Sequence, residues 1–90
     1  MKEKLTANEI RNIDVGEYIV IKLHKDEIWY SGEGTVSSVK EYDSGEFRIE
    51  INNNGYISSL KIPSDARKAY RFSGVEKGSN NLKVDSVYKK

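Results

Sequence analysis

Hydrophobic and polar positions alternate along most of the chain, and the places where alternation fails mark its elements. In "EYIVIKL", residues 17–23, Ile19, Ile21 and Leu23 share one face while Tyr18 and Val20 share the other. Apolar residues on both sides predict a strand buried on one face and partly covered on the other. "HKDE", residues 24–27, is polar and reads as a loop. Residues 28–42 predict one long strand, in which Ile28, Tyr30, Gly32, Gly34 and Val36 keep phase and Val39 slips by one. A slip of this kind predicts a bulge or a sharp bend. The two glycines predict a strongly coiled strand or the close approach of another backbone. "DSG", residues 43–45, reads as a short hairpin turn with Gly45 free to take a left-handed conformation. "EFRIEIN", residues 46–52, has the cleanest alternation, with Phe47, Ile49 and Ile51 inside and Arg48 and Glu50 outside. Asn54-Gly55 then predicts a tight hairpin, followed by a strand over about 56–62 that ends at Pro63.

The flanks follow different rules. A helix is predicted within residues 5–14. Thr6 and Glu9 have the spacing of a capping box, and Leu5 and Ile10 that of a hydrophobic staple. Ile10 and Ile13 share a face, and Asp14 and Gly16 stop the helix. "SDARK", residues 64–68, reads as a single helical turn capped by Ser64, and "AYRF", residues 69–72, returns to strand. Residues 73–90 read as a tail, with "EKGSNN" as a loop and alternation of Leu82 and Val84 predicting a further strand over about 82–88.

These elements predict one all-β domain over residues 1–90: a short N-terminal helix, then a small five- to six-stranded barrel over 17–72, with one helical turn before its last strand. The helical turn in that position resembles SH3-like barrels. The "VGEYIVI", "GEGTV" and "FRIEI" layout is similar to the KOW segment of ribosomal and transcription-factor barrels. A helix leading five strands resembles Sm-like proteins instead. These resemblances cover about residues 5–72 and imply a barrel fold. The middle strands lack the Asp-x-x-Met-Asn pattern of Sm proteins, so no functional residue is carried over from any of these families.

Composition narrows the chemistry. The chain has no cysteine, which removes disulfides, thiol catalysis and thiolate metal sites. "MKEKLTANEI" lacks the apolar region of a secretory signal, and no apolar run approaches the roughly 20 residues that span a bilayer. A soluble cytoplasmic protein with no membrane partner is expected. Lysine outnumbers arginine 11 to 4, a bias toward AT-rich codons expected of a low-GC bacterium or its phages. His24 is the single histidine, set in a charged segment with no second histidine to complete a metal site, and it reads as a solvated side chain. Ten serines are scattered without a nucleophile elbow around any of them. "GEG", residues 32–34, has neither the Lys-Ser/Thr nor the helix start of a phosphate loop. No catalytic residue, metal ligand or cofactor is assigned, and the protein is read as non-enzymatic.

Charge and aromatics carry the binding readings. Residues 1–60 hold 7 Lys/Arg and 11 Asp/Glu, whereas residues 61–90 hold 8 and 3. The reading placed first is an inhibitor- or adaptor-type module that occupies a surface of a protein partner. Trp29, Tyr30, Tyr42 and Tyr56 are its candidate contacts, because Tyr and Trp supply large rigid area at interface centres. The alternative is a nucleic-acid-binding barrel. It would use the basic-aromatic stretch "ARKAYRF" with Lys61, Arg67, Lys68, Tyr70 and Arg71, extended by Lys77, Lys83, Lys89 and Lys90. A third reading is sequestration of a small nucleotide ligand at a subunit interface. The oligomeric state is left open.

Overall fold

The computed structural model describes residues 3–25, 28–65, 67–73 and 82–90. Its elements in chain order are β1 (Glu3–Lys4), α1 (Ala7–Arg11), β2 (Tyr18–Lys25), β3 (Ile28–Glu41), β4 (Phe47–Asn53), β5 (Tyr56–Ile62), β6 (Arg71–Ser73) and β7 (Leu82–Lys89). Every pairing is antiparallel. The order β7-β2-β3-β4-β5-β6 closes on itself through a β6–β7 pairing, so six strands form a barrel and β1 adds to it. The fold is thus the small all-β barrel with one short helix that the alternation predicts.

The segment read as a tail closes the barrel. One edge of β7 pairs along β2. The other is shared, with Leu82 and Lys83 on β6 and Tyr88 and Lys89 on β1. Between them, the Val84 amide donates to the Tyr70 carbonyl at 3.0 Å and the Leu5 amide to the Val87 carbonyl at 2.8 Å. That arrangement covers an edge that would otherwise template pairing with another chain. It also explains β1, which the charged N-terminus alone does not predict.

β3 serves both halves of the barrel. Its first half pairs with β2 and its second with β4, and Thr35 faces Tyr18 on one side and Asn52 on the other. The register shifts between Val36 and Ser38, so Ser37 is the extra residue of a bulge and Val39 turns back onto the core. The phase slip at Val39 has this cause. A β-carbon on Gly34 would lie 2.5 Å from Ile51 Cγ2 and 2.6 Å from the Asn52 carbonyl oxygen, so the bend needs a glycine there.

Ile19, Ile21, Val36, Ile49, Ile51, Leu60, Ile62 and Val87 fill the interior. Val20 points to the other side of β2, yet is only 2 % exposed, as its apolar neighbours predict. Thr6 caps α1. Its hydroxyl accepts from the Glu9 amide at 3.2 Å, and the Glu9 carboxylate accepts from the Thr6 amide at 3.1 Å. Leu5 and Ile10 both enter the core.

Two local expectations change. The helix ends at Arg11, ahead of Asp14, because the Asn12 side chain donates to the Asn8 carbonyl at 2.8 Å and Asn12 becomes the C-cap. His24 and Lys25 continue β2 instead of opening a loop, since their backbones pair with Trp29 and Ile28. In the segment read as a single helical turn, the Lys68 amide donates to the Asp65 carbonyl at 3.0 Å. The Asp65 side chain also accepts from the Arg67 amide, at 3.0 Å. The expected loop at 76–81 lies outside the described residues.

Candidate nucleic-acid interface

Hairpin geometry begins the site. Asn54 and Gly55, with φ of 52° and 90°, make the two-residue connection between β4 and β5. That turn sets Arg48 opposite Lys61. On the preceding hairpin, Gly45 takes φ 90° and its amide donates to the Tyr42 carbonyl at 2.8 Å, and Lys40 comes opposite Arg48. β6 then sets Arg71 opposite Lys61, and β7 sets Lys83 opposite Arg71.

The result is an unbroken row, Lys40, Arg48, Lys61, Arg71 and Lys83, across five neighbouring strands. Each alternates with inward residues (Val39, Phe47 and Ile49, Leu60 and Ile62, Phe72, Val84), so all five point out of the barrel. Lys40, Arg71 and Lys83 are exposed; Arg48 and Lys61 are half-buried, as long side chains lying along a sheet are. Like charges directly opposite on neighbouring strands are destabilising. Four successive like-charge pairs in a chain with 15 basic and 14 acidic residues therefore oppose the stability of the sheet that carries them.

The surroundings tune the row. The Lys40 ammonium and the Arg48 guanidinium each lie 4.9 Å from the centre of the Tyr42 ring. Arg48 Nε donates to Glu46 Oε2 at 2.8 Å, which holds the guanidinium in place and pushes its pKa up. The next outward row is Ser38, Glu50, Ser59 and Ser73, and Ser38 donates to the Glu50 carboxylate at 3.1 Å. An open depression of about 430 Å³ lies between the rows, lined in part by Ser38, Lys40, Tyr42, Arg48, Glu50 and Ser59.

The sequence-level candidates separate in space. Lys61 and Arg71 join the row. Tyr70 packs half-buried against the core. Arg67 is exposed but held by Asp65, with Nε to Oδ1 and a terminal nitrogen to Oδ2 both at 3.1 Å. These hydrogen bonds lower the Asp65 pKa and raise that of Arg67. Lys68 is exposed on the same turn, off the row. Lys89 pairs with Glu17 at 2.7 Å, and Lys90 with Glu33 at 3.7 Å, on another part of the surface. Lys77 lies outside the described residues, as do the side chains of Trp29 and Tyr30. Tyr42 is half-buried beneath its two cations, whereas Tyr56 is 65 % exposed at the β4–β5 hairpin beside Ile57, 38 % exposed. Among the described residues, no three His, Cys, Asp or Glu side chains form a metal-binding group, and no helix is long and apolar enough to cross a membrane.

Lys40 and Arg48 are the members that the sequence reading did not assign to a basic patch. The signal for Arg48 was present, because the Asn54-Gly55 turn sets its register against Lys61.

Fold and surface together define a small closed antiparallel barrel with a lateral cationic row. No family model matches the chain, and neither the curated proteins nor the solved structures contain a match to it.

Proposed function

We propose that this barrel is a non-catalytic nucleic-acid-binding protein that engages the phosphate backbone through Lys40, Arg48, Lys61, Arg71 and Lys83. The observation that carries the reading is the run of like charges in direct cross-strand register. A polyanion relieves that repulsion and gains counterion release on binding. The Ser59 hydroxyl of the adjacent row can donate to a phosphate or sugar oxygen. Register adds Lys40 and Arg48 to Lys61, Arg71 and Lys83 in one band, which favours this reading over a protein partner.

The test is fluorescence anisotropy with labelled DNA and RNA oligonucleotides, at low and at physiological salt. Binding that weakens steeply with salt and is lost in the Lys61→Glu, Arg71→Glu double variant is the expected result. Equal binding by that variant would remove the row from the site.

A protein partner is the second reading, favoured by the exposed Tyr56 and Ile57 at one hairpin. Under that reading, Tyr56→Ser weakens partner binding more than loss of the row cations does.

A further inference from the structure

We infer that the ligand of this row is a single strand that winds around the barrel, not a duplex lying against it. This rests on the nucleic-acid reading above and concerns which form of the polymer fits. The row crosses four of the six strand-to-strand seams of a closed barrel. With strands tilted by about 35–45° and spaced about 4.8 Å apart, a row perpendicular to the strands turns through about 120–160° and climbs about 11–14 Å along the axis. Lys40 and Lys83, at its two ends, therefore point in widely different directions.

That curvature selects the ligand. Duplex DNA is stiff, with a persistence length of about 150 base pairs, and meets a convex barrel along a narrow line. It reaches neighbouring cations of the row but not both ends together. A single strand rotates about its backbone bonds and can follow the whole spiral, whose length of about 19 Å suits the short end of the ~4–16 nucleotides covered by small barrels. The shallow, polar depression beside Tyr42 lies along this path, with Lys40 and Arg48 both lining it.

The experiment uses the full chain with labelled oligo(dT), oligo(U) and a DNA duplex of equal length, each titrated over a series of salt concentrations. Lys40→Gln and Lys83→Gln are made singly and together; both positions are exposed, and unchanged thermal melts establish that the variants fold. The expected result is that single strands bind at least about tenfold more tightly than duplex. Each end variant then lowers the salt slope for single strands by ~0.7, and the two effects add. Duplex binding as tight as single-strand binding, or an effect from only one end, overturns the winding path while the nucleic-acid reading stands. If no oligonucleotide binds at low salt, the nucleic-acid reading itself fails. Binding of polyglutamate in that case identifies an acidic protein as the kind of partner the row serves.

Discussion

Arg48 on β4 and Lys61 on β5 stand directly opposite one another with both charges outside the barrel, and each has a further cation on its other side, Lys40 and Arg71. A sheet selected for stability alone places opposite charges at such positions. Removing the central cation separates binding from folding. Lys61→Gln is expected to leave Tm unchanged or raise it by about 2–5 °C, since it relieves two like-charge contacts. The same change lowers oligonucleotide affinity and reduces the salt slope by ~0.7. Thermal melts and anisotropy on one preparation read both effects, and a fall in Tm accompanied by unchanged affinity would show that Lys61 serves packing.

The bend of β3 depends on Gly34. A methyl group there meets the Ile51 side chain and, less yieldingly, the Asn52 backbone carbonyl. Gly34→Ala is expected to destabilise the protein by about 1–3 kcal/mol, because β3 and β4 must move apart. Chemical denaturation measures this directly; a loss well below that range would mean the strands separate easily at this point.

Closure by β7 is the condition for a stable barrel. Val84 and Val87 belong to the core, and the strand covers the edges of β2, β6 and β1. A chain ending at residue 81 is expected to lose cooperative unfolding and to aggregate, since the long edge of β2 and the short edge of β6 become free. Analytical ultracentrifugation with thermal melting distinguishes this from a tail whose removal leaves a monomeric, cooperatively folding barrel.

The capping box gives a pH-dependent contribution with a definite sign. The Thr6 amide, and then its hydroxyl, hold the Glu9 carboxyl below its ordinary value of 4.5. A depressed folded-state pKa contributes stability that is present above the unfolded value and is lost as pH falls through the folded one. Carbon-detected NMR titration is expected to place the Glu9 midpoint below 4.5, and Thr6→Ala to return it toward that value. The same substitution costs about 1 kcal/mol at neutral pH, the usual loss for an N-cap hydroxyl. An unmoved midpoint in the variant would assign the depression to the backbone amide of residue 6, which the substitution keeps.

Local pattern was enough for the elements of the barrel. Alternation in residues 46–52, the Asn54-Gly55 turn and the slip at Val39 each reflect forces acting within a few residues: burial of one strand face, a left-handed turn, one extra residue in a ladder. The capping box of α1 is local in the same way. One cross-strand pair of the cationic row, Arg48 with Lys61, was legible too, because a two-residue turn sets the register of its hairpin.

The rest of the row was not local. Lys61 with Arg71 and Arg71 with Lys83 join strands separated by longer stretches of chain than a two-residue turn, and Phe72, Leu82 and Val84 beside them seat against the core. The same packing took Tyr70 inward and left Arg67 on a turn paired with Asp65, which divided a stretch that reads as one basic-aromatic patch. Neighbours in the chain were therefore enough to mark β3, β4 and β5 and the buried face of each. Closure by β7 and the alignment of five cations from five strands in one band come from contacts between segments far apart in sequence, which no local pattern encodes.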